Sequence, residues 1–97
     1  MKVVTVRKEA ESDINEAFQW YESKHPGLGE TFIQYVEDTL SRIAFNPLIY
    51  PSIYKDIRRS LTRKFPFGVF YVIENDEIIV TAVMHVRKEP KQWQNRT

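Results

Sequence analysis

Ninety-seven residues make one domain, long enough to bury a modest core. The composition, 42% apolar and 28% charged, is that of an ordinary globular chain, and no apolar run approaches the roughly 20 residues of a membrane span. Net charge is only +1, yet residues 1–46 carry five Lys/Arg against eight Asp/Glu and residues 47–97 nine against five. The second half therefore expects an acidic partner, nucleic acid or an acidic protein segment, unless the two halves neutralise each other.

The N-terminal stretch MKVVTVRKEAE lacks the apolar run and small-residue cleavage site of a secretory signal. The absence of cysteine excludes disulfide and thiol chemistry. Both suit a cytoplasmic protein. Residues 3–6, VVTV, are β-branched and read as a short strand. In residues 8–25 the apolar positions Ala10, Ile14, Ala17, Phe18 and Tyr21 recur at helical spacing, with Glu9, Glu11 and Asp13 early and Lys24 and His25 late, as the helix dipole favours. Pro26-Gly27 stops that helix. A second follows, with Leu28, Phe32, Val36, Leu40 and Ile43 on one stripe, and ends at Asn46-Pro47. The two read as an antiparallel helical hairpin.

The next stretch, NPLIYPSIYKD, holds two prolines and two tyrosines and reads as an ordered loop. IRRSLTRKF, residues 57–65, alternates like a strand, with Ile57, Leu61 and Phe65 on one parity and Arg58, Ser60, Thr62 and Lys64 on the other. Arg59 and Arg63 fall on the apolar parity, so this strand either bulges or lies at an edge where long stems reach solvent. FGVFYVIE and IIVTAVMHV are long apolar strands joined by a tight NDE turn, hence a hairpin. Pro90 ends the last strand, and Trp93 either folds back as an apolar peg or is offered to a partner. The order β-α-α-β-β-β defines an α+β domain, a helical hairpin packed on a small antiparallel sheet, spanning residues 1–97 as one unit.

Few catalytic patterns survive inspection. With His25 and His85 as the only histidines and no cysteine, neither a metal site nor a cofactor is expected. Gly27 and Gly29 have no strand before them and suit a helix start better than a phosphate cradle. Nothing places Ser52 or Ser60 on a strained elbow. Trp20-Tyr21 reads first as core and edge packing. What stands out is basic: Arg58, Arg59, Arg63 and Lys64 on one strand, and Arg87, Lys88 and Lys91 after the last. His85 and Arg87 share parity and are expected beside the arginines of the first long strand. Edge charges that prevent sheet-to-sheet association are the plain alternative.

The ordered series of Ala10, Asp13, Ala17 and Trp20-Tyr21, then GLGETF, NPLIYP, DIRRSLTRKFPFGVFY and VTAVMHVRKEPKQW, resembles the RelE/ParE superfamily of bacterial type II toxins, nearer the ParE (plasmid stabilisation) branch. The resemblance runs from about Ala10 to Trp93 and implies the same β-α-α-β-β-β fold. It also implies a growth-inhibiting toxin held inactive in a hetero-oligomer with a cognate antitoxin. Two activities live on this fold. ParE-like members resemble inhibitors of DNA gyrase that perform no chemistry. RelE-like members resemble nucleases that cut messenger RNA on the ribosome, which needs a base, cations at the phosphate and an acid. If this chain is a nuclease, His85, Arg59, Arg63 and Arg87 are the catalytic candidates. It lacks, however, both a clear catalytic carboxylate among the long strands, since Asp56 only precedes them and Glu74, Asp76 and Glu77 cluster at the turn, and the late tyrosine that several nuclease members use. The inventory therefore favours a gyrase-directed toxin over a nuclease or an inactive antitoxin-binding module. Arg58, Arg59, Arg63, Arg87, Trp93 and Trp20 are the expected partner-binding residues.

Overall fold

The computed structural model describes residues 2–96. Strand β1 (Val3–Val6) leads into helix α1 (Lys8–Lys24). Ala10 and Ala17 are buried, while Ile14 and Tyr21 pack against the core. The chain reverses at Gly27, whose φ of +88° is a left-handed conformation that glycine adopts without steric cost. Helix α2 (Leu28–Phe45) starts under the Glu22 side chain, which accepts the N–H groups of Gly27 and Gly29 at 2.9 and 3.0 Å. Glu22 thus satisfies two of the otherwise unpaired donors at this helix start. A side chain on Gly29 would meet the Phe18 carbonyl at 2.8 Å, so the close approach of α1 and α2 requires glycine there.

The proline- and tyrosine-rich stretch expected as a loop holds more structure. Pro47–Ile49 form a single 3-10 turn, and Ser52–Tyr54 form an edge strand, β2. Tyr71 donates its hydroxyl to the Pro47 carbonyl at 2.5 Å, and Arg58 donates to the Tyr50 carbonyl at 2.5 Å. Two side chains from the sheet therefore pin this segment.

Strand β3 (Ile57–Leu61) is shorter than its alternation predicts. The chain leaves the sheet because the Thr62 hydroxyl bonds the Phe65 carbonyl at 2.7 Å, Lys64 takes a φ of +65°, and Pro66 has no N–H to offer a ladder. The parity conflict of Arg63 disappears, since Arg63 and Lys64 lie on this connection and not on a strand. Strand β4 (Phe67–Glu74) and strand β5 (Glu77–His85) pair across Asn75-Asp76, both with positive φ, the signature of a type I′ hairpin turn.

The sheet order is β1-β5-β4-β3-β2. All pairs are antiparallel except β1 with β5, which is parallel, so the sheet is mixed and carries one more strand than the reading of the sequence contained. Phe70 pairs with Ala82 but Tyr71 with Val80, which leaves Thr81 as an extra residue, a bulge. Ile78 and Val80 before the bulge, and Val83 after it, all face the helices and join Phe32, Val36, Ile43, Phe67, Val69 and Tyr71 in the main core. The opposite face, with Ile57, Phe70, Val72, Ala82 and Met84, forms a second core.

That second core is closed by the C-terminal segment. The last strand ends at His85, not at Pro90. Pro90 instead opens a short helix, α3 (Pro90–Gln94), at a position where its missing N–H costs nothing. Trp93 stacks on Phe70 at 4.7 Å between centroids and stands edge-on to Tyr54 at 6.3 Å. Its exposure is 8%, which makes it the apolar peg of the two roles expected of it.

Candidate functional site

Beyond Val80, β5 loses its neighbour, because β1 ends at Val6 and the chain turns into α1. The strand edge from Thr81 to His85 therefore looks into a groove between α1 and the C-terminal segment. The groove has a volume of about 1080 Å³, and Trp20, Tyr21, Pro66, Val83, His85 and Lys88 are among its walls. It is comparable to the largest small-ligand sites and suits a peptide.

One end of the groove is occupied by an ion pair. Arg96 donates to both carboxylate oxygens of Asp13, at 2.9 and 3.1 Å. Asp13 also accepts the Val83 N–H at 3.0 Å, and Arg96 donates to the Thr81 carbonyl at 3.1 Å. The two side chains thus cap backbone groups that the bulged edge leaves without a strand partner. The arrangement ties α1, β5 and the C-terminal segment at one point. Asp13 is foreshadowed in the sequence, since a carboxylate three residues after Ala10 and four before Ala17 falls on the buried stripe of α1. Nothing in the sequence marks Arg96 as its partner.

The other end is aromatic and cationic. Trp20 is 56% exposed, stands edge-on to Tyr21 at 5.1 Å, and has the Lys24 ammonium over its ring at 4.9 Å. Tyr21 continues inward to Phe32 and Phe65. Burial raises the Tyr21 hydroxyl pKa above its ordinary value. His85 packs edge-on to Phe67 at 5.5 Å, and its Nδ1 accepts the Arg87 N–H at 3.0 Å. That bond requires Nδ1 to be unprotonated, so a neutral ring carries its proton on Nε2.

Of the expected cluster of histidine and arginines, Arg59 and His85 are not brought together. Arg59 pairs with Phe70 and belongs to the face covered by Trp93, where its stem lies over Gly68. His85 pairs with Phe67 and belongs to the helix face. The sheet stands between them. Arg58 also faces the helices, but its guanidinium is engaged by the Tyr50 carbonyl and, at 3.4 Å, by that of Leu48. Arg63 and Arg87 are exposed on the β3–β4 connection and on the turn after β5. Among the described residues no group of three His, Asp or Glu side chains is placed to hold a metal ion, and no helix is long and apolar enough to cross a membrane.

A two-helix hairpin on a mixed sheet, with an open strand edge in a groove, is the architecture of a small α+β domain. The family described as the ParE toxin of type II toxin-antitoxin system, parDE, matches residues 4–90, and the chain belongs to it. Among solved structures, a chain described as "Chromosomal ParDE TA system from P. aeruginosa" is similar with a TM-score of 0.80. The likeness covers 90% of this chain and 98% of that one at 15% identity, and at that identity it shows the shared fold. No curated protein sequence matches the chain.

Proposed function

We propose that this ParE-family chain inhibits growth by binding DNA gyrase, without chemistry of its own, and is neutralised by a cognate antitoxin lodged in the groove between α1 and α3. The observation that carries the choice of a binder over a nuclease is the separation of His85 from Arg59 by the thickness of the sheet. Phosphodiester cleavage needs a proton-transfer group and cations around one phosphate. Here the imidazole Nδ1 is engaged by the chain's own Arg87 N–H, and Arg59 lies on the opposite face of the sheet. The exposed cations Arg63 and Arg87 are surface groups suited to steering and orienting an acidic partner. Trp20, exposed on the groove wall, is the residue type that dominates protein interfaces.

The test is direct. Purified toxin is added to gyrase and relaxed plasmid, and in parallel to a translating extract carrying a labelled message. Inhibited supercoiling with an intact message is the expected result. Cleavage of the message during translation, with gyrase unaffected, overturns the reading in favour of a ribosome-dependent nuclease.

A further inference from the structure

The end of the molecule opposite His85 carries apolar side chains that neither core absorbs. Phe45, the last residue of α2, is 79% exposed, and Leu48 and Ile49 in the 3-10 turn that follows are each 66% exposed. All three fall within five consecutive residues. Together they expose on the order of 400 Å², an area at which the largest apolar patch of a monomer is often functional.

The fold holds this segment with its apolar side outward. The Tyr71 hydroxyl donates to the Pro47 carbonyl, and the Arg58 guanidinium donates to the carbonyls of Tyr50 and Leu48 at 2.5 and 3.4 Å. The Lys2 N–H donates to the Ala44 carbonyl, and the Ile49 N–H to that of Asn46, each at 3.3 Å. The backbone from Ala44 to Tyr50 is thus fastened from the sheet side while Leu48 and Ile49 are left to solvent. An apolar patch on a fixed backbone loses little conformational entropy on contact, so it is preorganised to bind.

Position and charge select the occupant. The Lys2–Ala44 bond sets the end of α2 beside the start of β1, where Val3 pairs with Glu77, the first residue of β5. The groove opens at Thr81, four residues and about 13 Å further along β5, and none of the three patch residues lines it. The exposed cations Arg63, Lys64, Arg87 and Lys88 lie beyond the far ends of β3 and β5, so an acidic partner is drawn to that end. At the patch the flanking charges are already matched: Arg42 pairs with Asp38 and Lys2 with Asp76, both at 3.1 Å. A twofold contact sets one surface against itself, which favours an apolar centre and disfavours unpaired charge near the axis. The patch meets both conditions. A polar rim of equal area brings it to the roughly 800 Å² per partner of a specific interface.

We propose that Phe45, Leu48 and Ile49 form the centre of a twofold interface between two copies of this chain. This contact is independent of the gyrase and antitoxin reading. Both grooves and both cationic ends lie outside it, so a dimer offers each of them twice to its partners.

Sedimentation equilibrium of the purified chain, from micromolar to submillimolar concentration, reads a reversible monomer–dimer equilibrium. Leu48→Glu is expected to weaken dimerisation at least about thirtyfold, because it sets like charges against each other at the axis. Its thermal midpoint is expected to match wild type, since Leu48 belongs to neither core. The chain contains no cysteine, so Leu48→Cys introduces a single thiol. A short bismaleimide is expected to join two Leu48→Cys chains and to leave Leu61→Cys unjoined, a position 51% exposed at the far end of β3. A wild type that stays monomeric throughout overturns the proposal. So does a dimer that Leu48→Glu leaves intact, or one in which Leu61→Cys is joined as readily as Leu48→Cys. A monomeric wild type whose Leu48→Glu variant loses binding to a cognate antitoxin assigns the patch to that partner and overturns the choice of a second copy. Because self-association is read on the chain alone, these outcomes leave the gyrase assay to decide the proposed function separately.

Discussion

At the scale of single residues, Asp13 carries the heaviest structural role of any charged side chain described. Its carboxylate is 15% exposed, receives both nitrogens of Arg96, and holds a backbone N–H of a bulged strand. Removing one partner of a pair that is largely withdrawn from water strands the other charge, at a cost of about 3–5 kcal/mol when burial is complete. Partial exposure of Arg96 lowers that, so Asp13→Ala should lose about 2–3 kcal/mol. For a domain of this length that corresponds to a fall in Tm of more than about 8 °C, measured by thermal melting. Tyr71 makes a second prediction. Its ring is fully buried, and burial pushes its hydroxyl up to about 12, against the Arg58 charge that lowers it. The unfolded phenol titrates near its ordinary 10.0, so the folded state resists losing a proton that the unfolded state gives up. Tyr71 therefore contributes stability that is whole below pH 10.0 and lost as pH rises from there to about 12. Denaturant midpoints should fall steeply across that window. Tyr71→Phe should flatten the fall, at a cost of about 1 kcal/mol at neutral pH from the lost bond to Pro47.

At the scale of elements, the two tryptophans separate packing from recognition. Trp93 is the lid of the second core, and α3 is a helix of five residues, too short to hold together on propensity alone. Its place on the sheet depends on Trp93 against Phe70 and on Arg96 beyond it. Trp93→Ala should lose about 3–5 kcal/mol, with a large loss of Tm and faster exchange of the β5 amides that α3 shelters. Trp20 projects from α1 into the groove and is 56% exposed. Trp20→Ala should shift stability by no more than about 1 kcal/mol while weakening antitoxin binding at least about thirtyfold, the effect of a central aromatic contact. A comparable loss of stability in both variants would mean that Trp20 is a packing residue as well.

On the scale of the whole molecule, the contrast in charge between the halves is partly consumed inside the fold. Lys2 pairs with Asp76 and Arg96 with Asp13, and each pair joins one half of the sequence to the other. What remains on the surface at the sheet's end includes Arg63, Lys64, Arg87 and Lys88, all exposed. Arg63→Ala and Arg87→Ala should leave Tm within about 0.5 kcal/mol equivalent of wild type and reduce growth inhibition, scored by colony formation after induction. Arg59→Ala should differ from both, because its stem fills the space over Gly68, and it should lose stability as well. His85→Ala should keep most of the growth inhibition, since its ring packs on Phe67 and its Nδ1 serves its own chain; a loss of about 10² or more in activity would point to imidazole chemistry.

Local physics made several features legible in the amino-acid order. The apolar period of Ala10, Ile14, Ala17 and of Phe32, Val36, Ile43 defines two helices, Pro26-Gly27 separates them, and Asn75-Asp76 closes a hairpin whatever surrounds it. Other features depend on contacts between distant residues. The strand after Ile57 stops at Leu61 because Thr62 bonds forward to Phe65 and Lys64 adopts a left-handed turn, neither of which alternation records. Ser52–Tyr54 becomes a strand only because β3 offers it an edge. The bulge at Thr81 resets the parity of β5, and the sheet then separates His85 from Arg59 although both lie on strands that looked adjacent. Likewise, Trp93 became a core residue and Arg96 the partner of Asp13 only when a C-terminal helix folded across the sheet. Periodicity acts between neighbours along the chain and so determines elements, whereas a site assembled across 83 residues of sequence exists only in the packing.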